Sequence, residues 1–502
     1  MLNNSRKKMG QALRLLVATV AAVLLLGALP AMSSSALIAP EGSGASQGKI
    51  WIGNDTAQTF ATIDAAVAGA SAGDVIHISG QFKENGASGK GATVNKNVTL
   101  DVASDTTITG DGNSNGIALS NGATLKASGG ATLKMKNFAT AVSVGANSSI
   151  GDGNYVLNEN KAGFALTGNG KIEGSARNAL KISARNSSGA GFYYNVQSRF
   201  IRCTVDVQVN TESSEQYAPL NMQDASFTTK GVWFYFNNAG NNNVLSLDNS
   251  DFYVYKATGK SAYTTTMTLE GPSEIKNGSS LTSDGGRISF AGKALMDVNG
   301  SALTFKNSTG GGINIGGANA GVTFTDSTLT GENMRNNPLF GARGNYAGQF
   351  ILFTGNSVVN TPASNKISDN GGASGVAKYV VTGGSFKLAY DENYNYNTTT
   401  PTNGSSNGDE HLTLMTLSDS GVNSLSPVNK NGNTYNYPVS KASSDGKKHV
   451  WVPAAKVTLS LNNGSATFAD GTKKNKTFKT IRGYKLGDVE GNPQIQDPTD
   501  RT

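Results

Sequence analysis

A single cysteine, Cys203, in 502 residues excludes an intrachain disulfide, so stability has to come from packing and backbone pairing. Only 12 prolines stand beside 62 glycines, and charged residues make up 15% of the chain, against roughly 25% in an average soluble domain. That balance excludes a highly charged disordered chain and calls for many tight turns. The only histidines are His77, His411 and His449, far apart and outside the repeats described below. They read as structural or surface residues rather than as a base or a metal set. No apolar run of membrane-spanning length follows Leu29.

What is present begins with an address. Arg6, Lys7, Lys8 and Arg14 precede and enter an apolar run from Leu15 to Leu29, followed by small residues at Leu29-Pro30-Ala31 and Ser34-Ser35-Ala36. Residues 1–36 read as a signal peptide, and the mature chain is expected to be exported with no transmembrane segment. A retained anchor is the competing assignment, since the run is near the lower limit for spanning. Removing the segment takes the formal charge from +7 to +3. Residues 441–485 carry ten Lys or Arg against Asp445 and Asp470, and residues 37–440 are close to neutral. The basic excess is thus local and gives no ground for a nucleic-acid partner.

Between Asn115 and Ala184 the chain repeats itself. Ile117, Val142 and Phe164 recur at steps of 25 and 22 residues, each followed eight residues later by Leu125, Ile150 and Ile172. This predicts a unit of two strands in fixed register, whose apolar face is buried only by stacking on further copies. The same reading pairs Leu220, Met222 and Phe227 with Leu245, Leu247 and Phe252, and takes Leu295 to Ile313 as a shorter, 18-residue step. Asn121-Gly122, Asn169-Gly170 and Asn299-Gly300 are expected at corners, where positive φ is needed and amides stack. In Ile201 to Val209 every second residue is apolar, which places Cys203 inside.

Residues 37–48 are rich in Gly, Ser and Ala and read as a flexible lead-in. Lys49 to Gly53 reads as a strand. Thr59 or Thr62 then caps a short helix with Ile63, Ala66, Val67 and Ala70 on one face, and Val75 to Ile78 starts the next strand. Phe60 to Val67 followed by Ala72 to Ile78 resembles the amino-terminal cap of pectin-lyase-like right-handed parallel β-helix proteins. The resemblance implies an all-β solenoid over residues 49–392 whose open end a helix plugs. Residues 393–455 read as a linker and a carboxy-terminal β cap. Over 456–502, Val457 to Gly464, Ala469 to Thr472 and Lys479 to Asp488 resemble the start of an internalin-type B repeat, or Listeria–Bacteroides repeat. That resemblance implies a small β-grasp-like module of bacterial surface proteins, lacking here the family's later Gly-Tyr-x-Phe-x-Gly-Trp portion.

Enzymes on such a scaffold need either two carboxylates facing one bond or a cation with an Arg or Lys base. The best acid pair is Asp248 and Asp251, yet the 25-residue register sets Gln223 and Ser226 beside them and Asp224 beside Asn249. Asp111-Gly112 and Asp152-Gly153 read as ordinary turns. The sequence assigns no catalytic residue, no metal ligand and no cofactor. Outward aromatics are the better lead. If Phe252 and Val254 face inward, Tyr253 and Tyr255 face solvent, and by the same parity so do Trp233 and Tyr235. Such rings stack on sugars or pack at protein interfaces; the competing assignment has them cover loops or rung ends.

The combined expectation is an exported bacterial surface protein, adhesin-like and non-catalytic, that binds glycans or extracellular host proteins and associates with the cell wall. The alternatives are a secreted polysaccharide lyase or glycoside hydrolase using Asp248 and Asp251, and a passive stalk.

Overall fold

The computed structural model describes residues 38–84, 91–188, 191–194, 197–209, 214–216, 218–237, 243–256, 265–308, 310–334, 339–342, 350–354 and 357–360. It also describes strand segments at 368–369, 378–382, 387–389, 428–430, 433–435, 439–442, 449–452, 454–460 and 471–481. The signal peptide expected at 1–36 and most of the linker expected after 392 lie outside these residues.

The chain winds as a parallel β-solenoid with three strands per rung. One rung lays down Leu220–Gln223 on a first face, Ser226–Lys230 on a second and Val232–Phe236 on a third; the next lays down Leu245–Asp248, Asp251–Tyr255 and Thr265–Leu269. Parallel ladders join them residue for residue, Leu220 to Leu245, Phe227 to Phe252 and Phe234 to Met267. The first two faces are continuous in a 28-stranded sheet, while the third consists of a 5-stranded and a 7-stranded sheet. Alternation decides what faces in: Leu247, Phe252 and Val254 are buried in a core that runs unbroken along the stack.

Both repeat steps read from Asn115 to Ala184 are ladders of the structure. Ile117 pairs with Val142 and Val142 with Phe164 on the third face, while Leu125, Ile150 and Ile172 are neighbours on the first. The expected unit of two strands is corrected to three, because Thr132–Lys136 supplies the second face with Leu133 and Met135 turned inward. The 18-residue step from Leu295 to Ile313 joins residues on different faces. Leu295 is exposed and pairs with Gly321, while Met296 and Val298 point into the core. Cys203 is buried as expected, and desolvation pushes its thiol up to about 12.

Every free edge of the first rung is covered, two by antiparallel strands and one by a helix. Lys49–Ile52 pairs antiparallel with Ile76 to Ser79 on the first face. Ile38–Glu41 pairs antiparallel with Gln81 to Glu84 on the second. Residues 37–48 are therefore not a flexible lead-in throughout: they hold an edge strand whose Pro40 sits where an edge tolerates the missing N–H. The helix Ile63–Gly69 serves the third face. It buries Ile63, Ala66 and Val67, and Asp64 Oδ1 accepts the Thr93 N–H at 3.1 Å. Lys96 Nζ donates to the carbonyls of Ala68 and Ala70 at the helix end, at 3.0 and 2.9 Å.

Thr62 is the N-cap, its Oγ1 accepting the Ala65 N–H at 3.1 Å. Thr62→Ala is expected to lower stability by about 1 kcal/mol, read as a shift in the urea midpoint. No described helix is long and apolar enough to cross a membrane.

The corners are hydrogen-bonded from rung to rung. Between first and second faces a column of buried serines repeats one exchange. Ser250 Oγ accepts the Ala225 N–H at 3.1 Å, Ser279 Oγ that of Ser250 at 3.0 Å, and Ser327 Oγ that of Ser301 at 3.1 Å. Each hydroxyl donates back to a carbonyl of its own rung, as Ser250 does to Asp248 and Ser327 to Thr325. Asn121 and Gly122 both take positive φ, whereas in the other two expected corners Gly168 and Gly300 do so instead of the asparagines. Amides do stack: Asn169 donates to Asn147, and Asn333 to Asn307. At Gly317 the chain passes so close to the previous rung that a Cβ would lie 1.9 Å from the Gly292 carbonyl oxygen.

Towards the carboxy terminus the first face reaches Lys378–Thr382 and the second Lys387–Ala389. There the parallel ladder gives way to antiparallel pairing with His449–Val452, itself paired with Val439–Ala442. Ala454–Leu459 and Lys476–Ile481 form a separate antiparallel pair.

Candidate functional site

The four aromatics selected by parity lie on two adjoining faces and turn outward. Tyr253 and Tyr255 alternate with buried Phe252 and Val254 on the second face, and their rings stack with centroids 4.3 Å apart. Trp233 and Tyr235 alternate with buried Val232, Phe234 and Phe236 on the third, at 5.6 Å. Tyr255 is 37% exposed, and its neighbour across the ladder is Lys230, the strand residue that leads into the corner at Gly231.

The hydroxyls of two of these rings are committed. Tyr253 donates to Asp284 Oδ2 at 2.8 Å, and Tyr235 donates to the Glu270 carboxylate. Desolvation, and then the bond to Asp284, hold the Tyr253 hydroxyl well above the ordinary tyrosine range, so it remains a donor at any physiological pH. Asp284 Oδ1 accepts from Asn307 at 3.0 Å and Asn307 Oδ1 from Asn333 at 2.7 Å. A hydrogen-bonded line thus runs along the solenoid from Tyr253, and it fixes the ring pair at one end.

Sequence reasoning passed over Tyr193, the most exposed aromatic among the described residues at 48%. It sits on the third face in Gly191–Tyr194, where buried Phe192 and Tyr194 flank it, so the alternation that selected Trp233 selects it too.

The carboxylates of the enzymatic alternative are already engaged. Asp251 is in an ion pair with Arg177 and accepts from Ser280 at 2.6 Å. Asp248 accepts from Asn277 at 2.7 Å and lies 3.8 Å from Lys276 Nζ. The register read from sequence holds, with Gln223 beside Asp248, Ser226 beside Asp251, and Asn249 donating to Asp224 at 2.7 Å. These two acids flank a corner, one at the end of a first-face strand and one at the start of a second-face strand.

Elsewhere a shallow cleft of about 210 Å³ is lined by Gly168, Asn169, Gly170, Gln197 and Arg199. Arg199 pairs there with Lys171 across the ladder, but Lys171 is bound to Glu173. His77, on the strand Val75–Glu84, stacks on Trp51 and meets Asp101 Oδ2 at 2.9 Å, and Asp101 also accepts from Ser128 at 2.6 Å. Among the described residues no group of three or more His, Cys, Asp or Glu converges as a metal set.

Comparison with known proteins finds no matching family model, no matching curated sequence and no matching solved structure.

Proposed function

We propose that the chain is an exported, non-catalytic binding protein of the bacterial surface, adhesin-like, whose solenoid offers its outward aromatics to glycans or to extracellular host proteins. The observation that carries this reading is the two outward-turned ring pairs on adjoining faces, Tyr253 with Tyr255 and Trp233 with Tyr235, of which Tyr255 is exposed and the other three half-buried. Side chains of this kind bury much area for little lost rotamer freedom, and sugar rings or apolar protein patches cover them well. The basic address at residues 1–36, the cap resemblance over Phe60 to Ile78 and the internalin-type B resemblance from Val457 support the surface setting.

The test is binding of the purified chain to a panel of polysaccharides and extracellular matrix proteins. Tyr255→Ala and Trp233→Ala are each expected to weaken retained binding about tenfold, the loss of roughly 1.4 kcal/mol that truncating a well-covered aromatic brings. Tyr255 is exposed, so its variant keeps the wild-type melting temperature. Equal affinities for wild type and both variants would remove the aromatic surface as the site. Depolymerisation of a polysaccharide, abolished by Asp248→Asn or Asp251→Asn, would transfer the chain to the lyase and hydrolase alternative.

A further inference from the structure

Two carboxylates meet at the start of the solenoid with too few donors between them. Glu84 ends the strand Val75–Glu84 and is only 7% exposed; Asp111 follows the next strand of the same face, Thr99–Thr109. The two strands are ladder neighbours, with Lys83 paired to Thr109. Ser114 lies between the acids: its Oγ bonds to Glu84 Oε2 and is 3.1 Å from Asp111 Oδ1. One hydroxyl proton serves only one of them. Asp111 Oδ1 is also the acceptor for the Asn113 and Ser114 N–H groups, at 2.8 and 3.0 Å. Glu84 Oε1 is buried and has no hydrogen-bond partner.

The geometry points to a calcium site at this corner, with Glu84 and Asp111 as its carboxylate ligands and the Ser114 hydroxyl oxygen beside them. A buried carboxylate oxygen without a donor is costly, and a second anion at the same place adds to the cost. A hard divalent cation removes both terms together. The donors are all oxygen, with no His or Cys among them, which suits calcium rather than zinc. Glu84 also pairs with Ile38 of the edge strand, so the ion would tie the first rung, the second rung and the cap at one point.

The experiment is calorimetric titration of calcium chloride into the chelator-treated full chain, with thermal melts in calcium and in chelator. A saturable site with a dissociation constant of roughly 10 µM to 1 mM is expected, together with a melting temperature that rises with calcium and much less with magnesium. Asp111→Asn keeps the acceptor of its turn and is exposed, so it folds; it is expected to bind calcium at least about tenfold more weakly. Glu84→Gln is expected to lose the response. Absence of calcium binding by the wild-type chain, or unchanged binding in Asp111→Asn, would overturn the site. A Glu84→Gln chain more stable than an unresponsive wild type would show that a shared proton balances the pair instead.

Discussion

Phe227→Ala is expected to destabilise the solenoid by about 4 kcal/mol, among the largest effects a single truncation has in a packed core. Phe227 is fully buried, and its ring stacks on Phe200 at 4.9 Å and on Phe252 at 5.5 Å while meeting the edge of Phe192 at 5.4 Å. These contacts join all three faces, with Phe200 on the first, Phe227 and Phe252 on the second and Phe192 on the third. The cavity cannot collapse easily, because Phe200 and Phe252 are each held by a ladder on both sides. Urea unfolding followed by far-ultraviolet circular dichroism reads the effect as a lowered midpoint. A loss below about 1 kcal/mol would mean that the aromatic stack repacks, contrary to the rigidity assigned to it here.

Asn160→Ala is expected to cost about 3 kcal/mol although it removes no apolar contact of consequence. Asn160 is buried at the corner that joins the second face to the third. Its Oδ1 accepts the Phe138 N–H at 2.9 Å, and its Nδ2 donates to the carbonyls of Met135 at 2.9 Å and Asn158 at 3.0 Å. Alanine leaves those main-chain groups inside without partners, and a buried orphan costs far more than the net value of an average hydrogen bond. Asn160→Asp separates shape from donors. It keeps the acceptor, points an anion at two carbonyl oxygens, and is expected to be at least as damaging at neutral pH with recovery in acid as the carboxyl protonates. If both variants melt with the wild type, water has replaced the amide.

The strand register was legible because inward positions are apolar at a nearly constant step. The third strand of each rung was missed, because the step of eight that continues from Ile117 and Leu125 to Leu133 fails in the next rung, where Ile150 leads to Asn158 outside the strand Gly153–Val156. Corner serines in Asn249-Ser250 and Asp326-Ser327 gave a further signal, which short polar turns disguise. The edge strand Ile38–Glu41 was hidden, because Pro40 and the glycines after it read as a linker until the partner Gln81 to Glu84 supplies the ladder. Parity predicted which aromatics face out. It gave no hint that Tyr253 is tied to Asp284, 31 residues on, or Asp251 to Arg177, 74 residues back, since side chains reach across rungs at distances no period encodes.

The serine column between the first and second faces has a consequence for how long such a molecule can be. Each serine takes an amide proton from the rung before and returns its own to a carbonyl of the same rung; Ser250 passes its N–H on to Ser279, whereas the Ser279 N–H turns back to the Lys276 carbonyl. A gene segment encoding one rung can be copied or dropped with least mismatch where the bordering corners make this exchange, as at Ser250, and the two ends, where the edges must be covered, set a further limit. Chains of this design are therefore free to differ in reach by whole rungs while keeping one cross-section.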